Sequence, residues 1–167
     1  MKPAIAFLFS LIAAPLALAF PAGSDVFSSA PALLNVSNDT SDHTSLATFT
    51  AQPSEPSIAG VSPFRSAWWT WRPEADGLAV IEVLPSPITP PSGQVLCGVF
   101  TGTTVSNLSN VAGGLGVLSQ GGVRLYVPVS VSTTYHIKAD SGSPTTALVL
   151  RIRLISRTAG SYTGVMS

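Results

Sequence analysis

Thr146-Ala-Leu-Val-Leu-Arg-Ile-Arg-Leu-Ile155 alternates residue by residue. Leu148, Leu150, Ile152 and Leu154 fall on one side of an extended chain, and Val149, Arg151, Arg153 and Ile155 on the other. Successive side chains of a strand point to opposite faces, so the two sets separate cleanly. The same alternation runs through Val123-Arg-Leu-Tyr-Val127, where Val123, Leu125 and Val127 oppose Arg124 and Tyr126. It recurs from Thr133 to Ala139, with Tyr135, Ile137 and Ala139 opposing Thr134, His136 and Lys138. One set placed on a core and the other toward solvent is the pattern of an antiparallel sheet with one wet face.

Working outward, Ser66-Ala-Trp-Trp-Thr-Trp-Arg72, Leu78 to Leu84 and Gln94 to Thr101 read as further strands. Between them lie turn signals. Pro73-Glu-Ala-Asp-Gly77 ends in Asp-Gly, which supplies the positive φ of a tight reversal. Pro85 to Gly93 is a Pro-rich loop, unsuited to a central strand. Gly113-Gly-Leu-Gly116 and Gln120-Gly-Gly122 lack a Lys and a following helix, so they read as hairpin loop rather than phosphate cradle. The chain after residue 19 sustains no helical period of useful length. Short strands separated by Gly/Pro turns indicate an all-β sandwich or barrel in one domain.

The N-terminal residues 1–19 have the form of a secretory signal peptide: Lys2, an apolar run from Ala4 to Ala14, Pro15, and the small-residue site Ala17-Leu-Ala19. The apolar run is short for a membrane-spanning helix, and Pro15 interrupts it. Cleavage after Ala19 releases a secreted or periplasmic protein with no membrane contact. Residues 20–34 read as a loose N-terminal segment, with one short strand near Ala32 to Asn35. The domain itself is expected over 35–156, and a flexible tail over 157–167.

Composition narrows the function. The chain has 167 residues, 8 Lys plus Arg, 8 Asp plus Glu and a formal net charge of zero. Charged residues are 10% of the total, against roughly 25% in an ordinary soluble domain. A nucleic-acid partner is excluded, because neutralising phosphates needs clustered Lys and Arg. Disorder is excluded too, since 46% of the residues are hydrophobic. One Cys rules out an intramolecular disulfide framework and a multi-Cys zinc site. Cys97, inside the apolar run Val95 to Phe100, reads as a buried small hydrophobe. Asn35, Asn38 and Asn107 begin glycosylation sequons that matter in hosts that use them.

Catalytic constellations are missing. The histidines are His43 and His136. Neither an H-E-x-x-H zinc motif nor a G-x-S-x-G elbow occurs. His136 and Asp140 lie four positions apart on one strand face, about 13 Å at strand rise, too far to serve one triad. His136 is therefore expected as an exposed strand residue. Glu55, Glu74, Asp76, Glu82 and Asp140 offer no pair that the sequence brings to glycosidase separation. Arg151, Arg153 and Arg157 form a basic stripe, read as a solvated strand face.

Trp68, Trp69 and Trp71 share one strand, with Trp69 and Trp71 on one face and Trp68, Thr70 and Arg72 on the other. Most of this cluster belongs in a core, with Trp68 expected as its exposed member. Trp68 and Tyr126 are accordingly the candidate binding patch.

The surroundings of this cluster resemble the bacterial pre-peptidase C-terminal (PPC) domain family. The matching pieces are Ala47-Thr48, Glu55-Pro56, Ala59-Gly60, Ser66 to Trp71 with Pro73 and Gly77, Val99-Phe-Thr-Gly102, Val105-Ser-Asn-Leu108, Val111-Ala112, and Thr133 to Ile137 with Asp140. They follow the family's order from about residue 35 to residue 155. The resemblance implies an antiparallel, jelly-roll-like β-sandwich, generally noncatalytic, serving secretion, substrate adhesion or cell-surface attachment. The chain departs from the family at Gly93-Gln94-Val95, where related domains carry Asp-Thr, and at Gly113-Gly-Leu-Gly116, where they carry Asn-Asp. Those missing residues are oxygen donors of the kind calcium takes. Glu55 and Asp140 remain as weak calcium candidates, a thin set for an ion needing six or more oxygens, and their simpler role is to bond backbone amides at strand ends. No cofactor is expected. The expectation is a secreted noncatalytic module that binds an extracellular polysaccharide or protein surface. The alternatives are a structural envelope subunit or a small secreted hydrolase.

Overall fold

The computed structural model describes residues 21–34, 39–40, 44–86, 93–117, 120–142 and 147–156. The signal peptide, the sequons at Asn35 and Asn38, His43, Arg157 and the tail lie outside these residues. In chain order the strands are β1 (Ala32–Leu33), β2 (Asp39–Thr40), β3 (Thr44–Ser45), β4 (Ser66–Trp71), β5 (Gly77–Pro85), β6 (Gln94–Thr101), β7 (Ser109–Val117), β8 (Val123–Val129), β9 (Tyr135–Asp140) and β10 (Ala147–Ser156). Phe27–Ser29 and Val105–Asn107 form single-turn 3₁₀ segments. No helix among the described residues is long and apolar enough to cross a membrane.

The strands form two sheets that pack as a sandwich. Sheet I runs β1-β4-β9-β6-β7, and sheet II runs β2-β10-β5-β8 with β3 also on β10. The chain switches sheets between β4 and β5, β5 and β6, β7 and β8, β8 and β9, and β9 and β10. All the pairings are antiparallel except β1 with β4, which is parallel with Ala32 opposite Thr70 and Leu33 opposite Trp71. Between the sheets, Trp69, Trp71, Val95, Cys97, Val99, Tyr135 and Ile137 meet Ala79, Ile81, Val83, Val127, Leu148, Leu150 and Ile152. These are the alternate positions of each strand, which is why a residue-by-residue alternation builds this core. Each large aliphatic among them contributes about 1.5–3 kcal/mol through its burial.

Four expectations change. Residues 21–34 are docked, not loose: the segment follows the free edge of β4, with Ser24 and Trp68 exchanging backbone hydrogen bonds of 3.1 and 2.8 Å and Thr70 N–H donating to Pro31 O. That contact, together with β1, covers an edge that would otherwise present unpaired groups. Gly113, Gly114 and Gly116 belong to strand β7 rather than a hairpin loop. The missing side chains of Gly114 and Gly116 admit the β8 side, since a Cβ on Gly116 would run into the Gly122 carbonyl and one on Gly114 would press on Leu125, while Gly113 faces Ile58 on the outer side. Gly121 and Gly122 do form the turn, with φ of 96° and 80°. Gly77 does not take positive φ; it opens β5, and the chain crosses between sheets at this point instead of reversing in a hairpin.

The fourth change concerns solvent. Every residue of β9 is buried on both of its faces. The stretch from Gln52 to Val61 crosses the outer face of sheet I together with Phe27 and Ala30. Ile58 joins Trp68, Leu96 and Phe100 in a second, smaller core there, flanked by Phe27, Ala30, Val105 and Leu108. Among the described residues the fold therefore has a third partial layer, over sheet I.

Candidate functional site

The outer face of sheet I is laid out in rows by strand register. Ser66 faces Asp140, which faces Leu96; Trp68 faces Lys138, which faces Gly98; Thr70 faces His136, which faces Phe100. Gly98 keeps the middle row open, because a Cβ there would lie 2.6 Å from the Phe100 ring and 2.9 Å from Ile58. Lys138 is fully buried. Its ammonium sits 2.8 Å from Glu55 Oε2 and 3.4 Å from Asp140 Oδ2, and donates to Pro56 O at 3.1 Å. It also lies 5.5 Å from the centre of the Trp68 ring, within cation–π range. Ser66 Oγ is 2.5 Å from Glu55 Oε2 and 2.9 Å from Asp140 Oδ2.

Both acids also hold backbone. Asp140 accepts from the N–H groups of Phe64 and Arg65, and Glu55 accepts from Gln52 N–H and from Trp68 Nε1. The cluster thus ties the crossing 52–61 stretch and the start of β4 to the middle of β9. Burying a charge is costly unless it is paired and hydrogen-bonded, and here each one is.

This geometry corrects three sequence expectations. Trp68 does face away from Trp69 and Trp71, yet it is 0% exposed, covered by Phe27 edge-on at 5.1 Å and by Phe100 and Ile58. It is not part of a surface patch. The calcium candidates Glu55 and Asp140 do converge, but the Lys138 ammonium stands between them as their counter-ion. Donor chemistry already satisfied by an ammonium, a hydroxyl and backbone amides does not fit calcium. No group of three or more His, Cys, Asp or Glu is placed to hold a metal among the described residues. His136, expected on the surface, is 8% exposed. Its Nε2 meets Gly102 O at 2.9 Å and its ring lies 4.7 Å from that of Phe27. Desolvation by burial lowers its pKa, opposed in part by the bond to Gly102 O, so the ring is held neutral.

No nucleophile is activated by these groups. Asp140 is occupied by Ser66, Lys138 and two backbone amides, and His136 by a carbonyl, so the two share no proton path in the described geometry. Cys97 is fully buried in the core, and desolvation pushes its thiol up to about 12, far from the thiolate that reacts.

The outer face of sheet II differs: no segment crosses it among the described residues. Strand register aligns Arg124, Glu82 and Arg151 in one row, and Tyr126, Val80 and Arg153 in the next. Tyr126 is 60% exposed. Arg124, Arg151 and Arg153 are exposed, while Glu82 between the first two is buried beneath them. Arg124 Nε donates to Glu82 Oε1 at 2.6 Å, and Arg151 approaches Glu82 Oε2 at 3.7 Å. Glu82 first, and then Tyr126, raise the Arg124 pKa further above its ordinary value. Arg153 has no ion pair among the described residues. The two rows together set three guanidinium groups beside one phenol on this face, with three positive charges against one negative.

Sequence reasoning singled out Tyr126 and the Arg151–Arg153 stripe separately. It missed Arg124 and Glu82, although Arg124 already shared a strand face with Tyr126. Only the register of β5 against β8 and β10 brings them together. Lys138 was legible as a polar-face residue but not as a buried cation, because its two acids come from elsewhere on the chain. No family model matches this chain, and no curated protein matches it.

Proposed function

We propose that this chain is a secreted, noncatalytic β-sandwich module that attaches to an extracellular acidic polysaccharide through the outer face of sheet II. The observation that carries the reading is Tyr126, exposed on the outer face of sheet II beside Arg124, Arg151 and Arg153. A phenol ring supplies a stacking surface for a pyranose, and guanidinium groups bond carboxylates with two parallel N–H donors. The leader form of residues 1–19 and the resemblance to PPC domains support export and an accessory, adhesive role. The absence of a catalytic constellation from the sequence, the hydrogen bonds that occupy Ser66 Oγ and His136 Nε2, and the buried Cys97 thiol support a binding role over a hydrolytic one.

The test is electrophoresis of the mature protein through gels containing polygalacturonate, with dextran as the neutral control. Retardation by polygalacturonate that weakens as salt rises is expected, because exposed charge pairs are screened. Equal mobility in both gels overturns the reading.

A further inference from the structure

β7 forms one edge of sheet I and is 9 residues long. A sheet edge presents unpaired N–H and C=O groups that pair readily with another chain, and proteins blunt it with charge, proline or a covering segment. The other edges here are blunted. β1, β2 and β3 have only 2 residues each, and β8 carries Arg124 and Pro128. β7 has none of these guards. No Lys, Arg, Asp or Glu occurs anywhere between Glu82 and Arg124, and on the strand Val111 is 41% and Leu115 47% exposed.

The bonding direction of this edge is defined. Gly122 N–H donates to Val117 O at 3.1 Å, so the Val117 carbonyl points away from β6. Backbone groups alternate in direction along an antiparallel strand, so Leu115 and Gly113 also turn their N–H and C=O away from β6. Among the described residues no strand pairs with them. Val111 is left unopposed where the register shifts between Val99 and Phe100, a bulge that leaves Ala112 to Leu115 regular. Leu115 lies opposite Leu96, which lines a groove with the exposed Val61 and Phe64, so apolar surface continues inward from the edge.

We propose that β7 pairs with β7 of a second copy of this chain, antiparallel about a two-fold axis through Gly113. This register sets Val111 of each copy opposite Leu115 of the other and brings the two Gly113 residues together. The outward N–H and C=O groups of Gly113 and Leu115 then bond across the interface, and no like charges meet, because the strand carries none. A charged peptide would find no counter-charge on this edge, whereas β7 itself supplies an uncharged strand with matched apolar positions. The contact is isologous, so it consumes the edge in both copies, and the guarded edges that remain stop the assembly at a dimer. An axis perpendicular to the sheet leaves the outer faces of both copies of sheet II pointing the same way. The dimer then offers two arginine faces to one polysaccharide, a consequence that rests on the reading above, while the pairing itself does not.

Sedimentation velocity of the mature protein over a rising concentration series is the experiment. A reversible monomer–dimer equilibrium is expected, with the amides of Gly113 and Leu115 protected from hydrogen exchange in the dimer. Leu115→Lys and Val111→Glu each put a charge at an exposed position, and each weakens dimerisation at least roughly tenfold. Melting of the dilute monomer is unchanged by either. An equimolar mixture of the two variants restores the dimer, because the register sets one substitution opposite the other. Tyr126→Ala leaves the equilibrium intact, which separates this edge from the polysaccharide face. The proposal is overturned if the wild type stays monomeric to its solubility limit, even where an unrelated extended peptide binds the edge. It is equally overturned if the dimer survives both single substitutions, or if the mixture stays monomeric.

Discussion

The outer faces of the two sheets begin from the same kind of sequence and end in opposite surroundings. On sheet I, Ser66, His136, Lys138 and Asp140 are polar residues at alternate strand positions, and all of them are buried. On sheet II, Arg124, Tyr126, Arg151 and Arg153 occupy equivalent alternate positions and stand in solvent. The difference lies in what each face meets. Sheet I carries both signs of charge, and a crossing stretch brings Glu55 to complete a neutralised set with Ile58 and Phe27 as a roof. Sheet II carries an excess of one sign, and only Glu82 is drawn beneath it. Alternation tells which residues share a face; charge complementarity with distant segments decides whether that face is covered.

The contrast is broken most severely at Lys138. Lys138→Ala strands Glu55 and Asp140 without their cation, and urea unfolding is expected to show a loss of about 3–5 kcal/mol. Trp68→Ala removes the centre of the smaller core and should cost about 3–5 kcal/mol in the same assay. Tyr126→Ala, an aromatic truncation on the open face, should stay within about 0.5 kcal/mol. If both Trp changes and Tyr changes cost the same, the two faces are not different in kind.

Glu82→Gln sharpens the other half. Arg124 is solvent-exposed, so its attraction to Glu82 is screened, and the loss of stability in the same assay should be smaller than that of Lys138→Ala. At the same time one negative charge leaves the arginine face, and retention on polygalacturonate should increase. A smaller effect concerns pH. His136 has a folded pKa below its ordinary 6.5, so the unfolded chain binds the proton more readily. Its contribution to stability is complete above 6.5 and is lost as pH falls through the folded pKa. Melting temperatures of the wild type and His136→Gln measured downward from pH 7 should converge, apart from a constant offset, if His136 is the group responsible. The smallest effect is at Cys97: with its thiol pushed up to about 12 and fully buried, it should react with a thiol reagent at neutral pH only on unfolding.

Much of the sandwich was legible in the sequence because each core strand announces itself locally. β6 spans the expected Gln94–Thr101, β8 begins at the expected Val123, and β10 is displaced by one residue. β7 was hidden by its glycines, which make room for distant segments, the start of β8 at Gly114 and Gly116 and Ile58 at Gly113, and not for the local chain. The third layer was illegible for a similar reason. Nothing near Gln52–Val61 shows that Glu55 will reach Lys138, 83 positions away, and so Trp68 and His136 read as surface residues. The proposed binding face was half visible: Tyr126 and the arginines could be assigned to faces, while their assembly into adjacent rows over Val80 and Glu82 rests on cross-strand register.

The most direct test of the division between a sealed face and a working face is calorimetric titration with an oligogalacturonate, comparing wild type with Tyr126→Ala/Arg153→Ser and recording melting temperature for both. The expected result is at least a tenfold loss of affinity, about 1.4 kcal/mol, with melting unchanged. Binding that is undiminished in the double variant would contradict the assignment of function to sheet II.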